Sequence, residues 1–237
     1  MIARENNVEL ADQFKKVGRL HIPDFLTQSS AEVLYKNLSE QTQWNLVWNN
    51  DGKHTDMDFQ AVEKWTEKQK KSLLEIVYKQ AAGDFQYLFA NIPIYDICQN
   101  DRLQVKFFDQ VCDFMNSELF LDQMRAITGF EQIDFADVQA TRYCRGHFLT
   151  EHDDNISGKD RLAAYVLNLT PIWNDAWGGA LVFHDQNQSG GGFSQLIYPC
   201  FNALNIFLVP QSHSVSMVSP YAMADRYSLT GWLRTRL

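Results

Sequence analysis

The pattern of hydrophobic and polar positions divides the chain into two parts near residue 130. Before that point, apolar residues recur at helical spacing, as Leu73, Val77 and Ala81 do with lysines on the opposite face. A Ser-Ser-Ala-Glu capping box at 29–32 predicts one helix start, and Gly129 predicts one helix end. The predicted helices cover 29–41, 67–82, 103–115 and 119–128. The stretch 44–57, with Asn-Asn-Asp-Gly in its middle, predicts strand–turn–strand or a loop.

After residue 130 the pattern changes to short β-rich runs that are separated by turn residues. The predicted strands are 132–142, 147–152, 161–169, 179–185, 194–198, 201–209, 213–218 and 226–235. About eight strands of this kind favour a jelly roll, or double-stranded β-helix, over a βαβ fold. The Ser-Gly-Gly-Gly run at 189–192 predicts a turn or loop.

No linker composition separates the two parts. We therefore expect one α+β domain over 1–237, in which residues 1–130 are mostly helical and support a jelly-roll core at 131–237.

Composition narrows the classes of partner. The formal net charge of −8 disfavours nucleic-acid binding, which depends on Lys and Arg, but it leaves a basic peptide open. The four cysteines lack C-x-x-C spacing and favour a reduced, cytoplasmic setting. Residues 1–7 lack the apolar run of a signal peptide, and no apolar stretch approaches the ~20 residues that span a bilayer. The oligomeric state stays open.

Candidate chemistry is concentrated in the last third of the chain. His152 and Asp154 form an H-x-D pair, His213 follows at a distance, and Arg226 comes last. Two imidazoles and one carboxylate can occupy one face of a metal and leave the other open, as in non-haem Fe(II) oxygenases. The fork of an always-charged guanidinium suits the far carboxylate of a small dicarboxylic acid, with 2-oxoglutarate the usual one.

Four longer segments accompany these residues: RYCRGHFLTEHDD (142–154), GGALVF (178–183), PCFNALNIF (199–207) and RYSLTGW (226–232). With them the sequence resembles the prolyl-hydroxylase-like branch of the Fe(II)/2-oxoglutarate dioxygenases, which includes the hypoxia-sensing and ribosomal prolyl hydroxylases. The resemblance covers about residues 138–235, with a weaker echo in GRLHIPDFL at 18–26.

The resemblance implies roles for matching positions. His152 and Asp154, two apart on one extended segment, would ligate Fe(II) together with His213. Arg226, on a hairpin return from His213, would pair with the C5 carboxylate of 2-oxoglutarate. Tyr143 would line the co-substrate pocket.

Two neighbouring strands add further candidates. On the strand of Arg226, the hydroxyls of Ser228 and Thr230 follow on the same face and are candidate co-substrate contacts. Asn168 stands where the hypoxia-sensing enzymes have a tyrosine that helps to hold the co-substrate carboxylate. The Asn side chain can still donate a hydrogen bond to the co-substrate, but it is shorter than a tyrosine and has less reach.

The activity implied is hydroxylation of a peptide or protein side chain, with proline favoured, using O2 and releasing succinate and CO2. A free amino acid or small metabolite is an alternative substrate, and a metal-binding or 2-oxoglutarate-binding sensor without turnover is an alternative function. Loops at 44–57 and 173–178 are candidates for substrate selection. The remaining histidines are expected to be structural: His21, His54, His147 and His184.

Overall fold

The structure is a computed structural model that describes residues 2, 7–100, 106–184 and 194–236. Its helices are α1 Asn7–Val17, α2 Gln28–Ser39, α3 Phe59–Glu63, α4 Glu67–Ala81, α5 Ile94–Gln99, α6 Lys106–Met115 and α7 Glu118–Thr128, with a 3₁₀ turn at Asp175–Trp177. Its strands are β1 Arg19–Ile22, β2 Asn45–Asn50, β3 Lys53–Asp58, β4 Tyr87–Ile92, β5 Phe135–Ala136, β6 Gln139–Tyr143, β7 Phe148–His152, β8 Arg161–Asn168, β9 Leu181–His184, β10 Ser194–Ile197, β11 Ala203–Leu208, β12 His213–Val215 and β13 Arg226–Arg234.

Eight strands form the predicted jelly roll. One layer has the strand order β6-β13-β8-β11 and the other has β7-β12-β9-β10, and the pairs within each layer are antiparallel. These strands correspond one to one to the eight runs predicted from the sequence. The first run is shorter than predicted, because residues 137–138 are not in a strand and separate β5 from β6. The loop predicted at 189–192 lies outside the described residues.

The four predicted helices are present as α2, α4, α6 and α7, although 103–105 lie outside the described residues. The start of α2 was predicted wrongly. The side chain of Thr27, not a capping box at 29–32, accepts a hydrogen bond from the backbone N–H of Ser30. Gly129 ends α7 as predicted, with the φ of 74° that glycine adopts at low cost.

The first 130 residues also contribute strands that the helical pattern did not predict. β1 pairs with β11, and β2 and β3 form the hairpin that was one of two options for 44–57. β4 pairs with β6 of one layer and β7 of the other, so it joins the two layers at one side. Helices α1, α3 and α5 were not predicted either, and α3 and α5 have only five and six residues. No helix in the described ranges has the length and apolar character needed to cross a membrane.

The layer β6-β13-β8-β11 has two different faces. Its outer face packs Leu167, Ile206 and Leu229 into the main hydrophobic core, with Phe108 and Phe120 from the helices. All of these side chains are fully buried, and each contributes about 1.5–3 kcal/mol to folding. The inner face of the same strands points towards the second layer and carries the polar residues of the candidate site.

Candidate functional site

The two histidines and the aspartate that the sequence singled out lie together between the two layers. His152 ends β7 and His213 begins β12, and the two residues are directly paired across these antiparallel strands. Nε2 of His152 lies 3.4 Å from Oδ1 of Asp154, and Nε2 of His213 lies 3.4 Å from Oδ2. Ligand atoms about 2.1 Å from one metal ion at right angles are about 3 Å apart. The three side chains therefore fit a divalent metal ion with only a small adjustment.

Both imidazoles are oriented by their second ring nitrogen. Nδ1 of His152 lies 3.1 Å from the carbonyl oxygen of Thr150, and Nδ1 of His213 lies 2.7 Å from that of Gln211. A carbonyl oxygen only accepts, so each Nδ1 donates its proton and each Nε2 keeps a lone pair towards Asp154. The two rings are thus held in the tautomer that a metal ligand needs.

Burial sets the charge of these groups. It lowers the pKa of His213 to about 4, helped by the neighbouring His152, so this imidazole is neutral near pH 7. Burial acts to raise the pKa of Asp154, but the combined interactions with His152, His213 and Trp232 outweigh that effect and leave the pKa below its ordinary value. A neutral imidazole and an ionised carboxylate are the states in which these residues bind metal.

The backbone reaches Asp154 differently from the prediction. β7 ends at His152, and Asp154 lies beyond it with a left-handed backbone, φ 63°. The expectation that one extended segment presents both side chains is wrong here. A turn, not the alternation of a strand, brings the carboxylate beside the imidazoles.

Arg226 begins β13 on the inner face of the other layer. The predicted hairpin between β12 and β13 is wrong, because β12 pairs with β7 and β9 whereas β13 pairs with β5, β6 and β8. The chain crosses between layers after β12, as a jelly roll requires. This crossing places Arg226 across the interior from His213 instead of beside it on a hairpin.

The surroundings of Arg226 include two of its predicted neighbours. Its guanidinium carbon lies 5.1 Å from the centre of the Tyr143 ring, and Nη2 donates to Oδ1 of Asn168 over 3.4 Å. Arg226 is only 2% exposed, and burial lowers its pKa. Nε of Arg226 has no partner among the described residues, nor does any described carboxylate lie within 4 Å of its guanidinium.

The other predicted co-substrate contact on β13 is engaged elsewhere. Oγ of Ser228 lies 3.2 Å from Oγ1 of Thr141 on β6, and both residues are buried. Thr230, two residues on, lines the cavity that contains the histidines and Arg226. Of the two hydroxyls that the sequence offered, Thr230 is therefore the one that faces open space.

A cavity of about 470 Å³ joins the metal-ligand candidates to Arg226. One wall is a row of aromatic rings from β4, the residues before it and the end of β6, in which successive ring centres are 5.1–5.6 Å apart: Phe85, Tyr87, Phe89 and Tyr143. The first ring lies 5.5 Å from that of His152. The volume is within the range for pockets that bind small ligands.

Sequence analysis did not select the wall residues on β4 and treated His54 as structural. His54 lines the cavity, and its Nδ1 lies 2.7 Å from the hydroxyl of Tyr87. Burial raises the pKa of Tyr87 to about 12. The alternation Phe85-x-Tyr87-x-Phe89-x-Asn91 is the signal for an inward-facing strand that the sequence contains.

The remaining predicted residues lie away from the cavity. Nδ1 of His147 accepts a hydrogen bond from the backbone of Cys144, and Nε2 of His184 lies 2.9 Å from Oγ of Ser214. Trp173 and Trp177 contact each other edge-to-face and are absent from the cavity lining. A Cβ on Gly179 would lie 3.0 Å from the Trp173 ring and 3.5 Å from Cδ of Arg226, so this loop packs behind Arg226. Of the two loops proposed for substrate selection, 44–57 contributes His54 and 173–178 contributes nothing to the lining.

Comparisons with known proteins agree with this geometry. Residues 138–234 match the family model described as the 2OG-Fe(II) oxygenase superfamily. A Pseudomonas putida prolyl-4-hydroxylase structure is similar over 98% of this chain and 100% of that chain, with 19% identity and a TM-score of 0.61. A Burkholderia pseudomallei oxidoreductase of the 2OG-Fe(II) oxygenase family is similar over 98% and 92%, with 13% identity and a TM-score of 0.60.

A third similar structure is a Trichoplax adhaerens prolyl hydroxylase in complex with a peptide fragment of the hypoxia inducible factor oxygen degradation domain. The likeness covers 96% of this chain and 88% of that chain, with 19% identity and a TM-score of 0.58. At these identities the structural likeness establishes the jelly-roll fold alone. No curated protein matches the sequence.

Proposed function

We propose that this chain, whose residues 138–234 match the 2OG-Fe(II) oxygenase superfamily model, is an Fe(II)- and 2-oxoglutarate-dependent dioxygenase that hydroxylates a prolyl side chain of a peptide or protein. The observation that carries the proposal is the arrangement of His152, Asp154 and His213 in one cavity with the buried Arg226. The superfamily uses Fe(II), 2-oxoglutarate and O2. This cavity offers one binding place for Fe(II) and a separate one for 2-oxoglutarate.

In this proposal His152, Asp154 and His213 hold the metal. Two imidazoles and one carboxylate leave part of the coordination sphere for other ligands, as an Fe(II) oxygenase requires. When bound, the metal with its co-substrates supplies the oxidising power that replaces a C–H hydrogen of the substrate by hydroxyl, and 2-oxoglutarate leaves as succinate and CO2. The carbonyl oxygens of Thr150 and Gln211 keep the imidazole lone pairs directed at the site.

Arg226 holds the far carboxylate of 2-oxoglutarate. A buried cation without a carboxylate partner is costly, so an anionic ligand that enters the cavity would gain a charge-assisted contact there. Tyr143 fixes the guanidinium plane from one side, and the Asn168 side chain fixes one of its nitrogens. Asn168 thereby orients Arg226, and Tyr143 also forms part of the cavity wall.

Two features of the cavity support a polypeptide substrate with proline as the target. The aromatic rings of Tyr87 and Phe89 form an apolar surface suited to the pyrrolidine ring. Nε of Arg161 is buried, lines the cavity and has no hydrogen-bond partner among the described residues. A main-chain carbonyl oxygen of a bound peptide would satisfy such a donor. The similar Pseudomonas putida and Trichoplax adhaerens structures are prolyl hydroxylases.

The four cysteines are free in the structure, which supports a reducing compartment such as the cytoplasm as the place of action. Localisation of a tagged full-length chain tests this part of the proposal. Recovery of the protein from an oxidising compartment would contradict it.

The function is tested by reconstitution and a substrate screen. Metal-free protein is titrated anaerobically with Fe(II) and 2-oxoglutarate while the visible charge-transfer band of the chelate is followed, with His152→Ala and Arg226→Ala in parallel. We expect a band that requires His152 and a lower 2-oxoglutarate affinity for Arg226→Ala. Under O2, a panel of prolyl peptides should give succinate and a peptide one oxygen heavier.

Two further outcomes separate the alternatives. Oxidation of a free amino acid or small metabolite, with no peptide modified, would replace the polypeptide substrate by a small molecule. A chelate that forms normally but yields no succinate with any candidate would favour a sensor without turnover. Absence of the band in folded wild-type protein would contradict the oxygenase assignment itself.

A further inference from the structure

The loop between β7 and β8 is closed by a side chain that returns to Asp154. Arg161 is the first residue of β8, seven positions after Asp154. Its Nη1 donates a hydrogen bond to the main-chain carbonyl oxygen of Asp154 over 3.1 Å and lies 3.6 Å from the carboxylate Oδ1. One guanidinium therefore contacts both the backbone and the side chain of a candidate metal ligand.

Arg161 is itself held in place by Trp232. The guanidinium carbon lies 3.5 Å from the centre of the Trp232 ring, and the Arg161 side chain is 10% exposed. Stacking of a planar guanidinium on an indole ring restricts its motion in a way that a lysine ammonium does not reproduce. Because Trp232 is on β13, adjacent to β8 in the sheet, the support comes from the rigid layer and not from the loop.

Asp154 needs such support because of its backbone. Its φ of 63° is left-handed, a conformation that costs a non-glycine residue about 1–2 kcal/mol. It also lies beyond the end of β7, so no strand pairing fixes it. At 3.6 Å the contact between Arg161 and Oδ1 is longer than a hydrogen bond. The guanidinium therefore offsets the negative charge of the carboxylate without forming a hydrogen bond to Oδ1.

We propose that Arg161 is a positioning residue for the metal site: it holds Asp154 in its left-handed backbone and aims the carboxylate at the two imidazoles. This inference rests on the metal site of the proposed function, but not on the identity of the substrate. Residues that orient a metal ligand from behind change metal affinity about 10- to 100-fold when they are replaced.

The test measures metal binding without substrate. Fe(II), under anaerobic conditions, and Co(II) are titrated calorimetrically into metal-free wild type, Arg161→Gln and Arg161→Lys, and the visible spectrum of the Co(II) complex is recorded. The matched control is Arg234→Gln. Arg234 is paired with Arg161 across β13 and β8 and donates to the carbonyl oxygen of Lys159 in the same loop over 2.7 Å. It makes no contact with Asp154 in the described structure.

We expect Arg161→Gln to bind both metals about 10- to 100-fold more weakly and to shift the Co(II) absorption bands. Arg161→Lys should fall between Arg161→Gln and wild type, and Arg234→Gln should bind metal with wild-type affinity. Melting temperatures of the metal-free variants show whether a loss of affinity reflects a loss of folded protein. Wild-type affinity and spectrum in Arg161→Gln, or an equal loss in Arg234→Gln, would overturn the proposal.

The outcome is separable from that of the proposed function. If wild-type protein binds Fe(II) but modifies no prolyl peptide, the substrate assignment fails and the role of Arg161 is still decided by the titration. If peptides are hydroxylated and Arg161→Gln keeps wild-type metal affinity, the proposed function stands and the positioning role is rejected.

Discussion

The two faces of the layer β6-β13-β8-β11 are built from the same strands but have opposite chemistry. The outer face is a dry contact with the helices, where Leu167, Ile206 and Leu229 are fully buried. The inner face is also largely buried, yet it carries Asn168 and Arg226. Burial alone therefore does not distinguish a structural face from a functional one.

The difference lies in how the buried polar groups are satisfied. In the described part of the inner face, Nε of Arg226 lacks a partner, whereas the polar atoms of Thr141 and Ser228 are paired with each other. Buried polar groups are normally hydrogen-bonded, so a buried polar atom that faces a cavity without a hydrogen-bond partner marks a place for a ligand. Substitutions on the two faces should consequently separate stability from binding.

The largest expected effect is on the inner side. His213→Ala should abolish Fe(II) binding and succinate formation, because only one imidazole and one carboxylate remain. The matched control is His184→Ala, which removes an imidazole that contacts Ser214 and is absent from the cavity lining. Anaerobic titration of both variants checks the prediction, and undiminished Fe(II) affinity in His213→Ala would contradict the assignment of ligands.

On the outer side, Phe120→Ala should lower the free energy of unfolding by about 3–5 kcal/mol, the usual cost of removing a buried aromatic ring. Phe120 is fully buried and lies against Tyr165 of β8, with ring centres 5.9 Å apart. Denaturant unfolding of the metal-free protein measures the change. We expect the folded fraction of this variant to bind Fe(II) normally, and a selective loss of metal affinity would show that the two faces are coupled.

Two arginines on adjacent strands, one on each face of the layer, allow a further test of the difference between the faces. Arg226→Lys should weaken 2-oxoglutarate binding about 10- to 100-fold, because a hydrogen bond to a charged group contributes about 1.5–3 kcal/mol and lysine lacks the fork. Arg142→Lys is the control, since Arg142 is on the outer face against Phe59 and Tyr227 and pairs with Asp225.

The charge-transfer titration distinguishes these two arginines. Arg142→Lys should change stability and leave 2-oxoglutarate affinity at the wild-type value. Equal weakening by both substitutions would argue against a specific contact at Arg226.

The smallest expected effect is a dependence of stability on pH that arises outside the cavity. Burial lowers the pKa of His147 to about 4; a hydrogen bond with the Arg142 backbone and the charge of Asp225 oppose this effect, whereas the charge of Arg142 adds to it. Between pH 6.5 and 4 the unfolded chain therefore binds a proton that the folded protein does not, so stability falls as the pH falls. From pH 7 to 5.5 the expected loss is about 1 kcal/mol.

His147→Asn should reduce this slope in metal-free protein. Urea unfolding at several pH values provides the measurement, with His54→Asn as a control at an exposed histidine. An unchanged slope in His147→Asn would assign the pH dependence to other groups.

The sequence allowed much of the architecture to be predicted, for a physical reason. The eight jelly-roll strands are short apolar runs separated by turn residues, and the long helices α4 and α7 have clear periodicity and ends. Strands β1 and β4 were missed although turn residues flank both, because four to six residues are too short for a strong local pattern. Their assignment depends on pairing with β11, β6 and β7, which are distant in sequence.

The site was predictable only in part. Spacing and order were enough to select His152, Asp154, His213 and Arg226, which the structure brings to one cavity. The turn at Asp154 and the crossing that separates β12 from β13 depend on how the two layers pair and pack in three dimensions, which a local sequence pattern does not reveal. On β8 nearly every residue is buried, so no alternation reveals which side chains face the cavity.

The short strand β1 has a consequence for association between molecules. In the described part of the chain, the path of paired strands ends at β1 on one side and β10 on the other, each four residues long. The side branch ends at β3, whose sequence is KHTDMD. Short or charged edge strands resist pairing with the edge of another chain. Loss of β1 would expose the edge of the six-residue strand β11, in which every residue except Asn205 is apolar, and such a protein should aggregate more readily at high concentration even where its chemistry is intact.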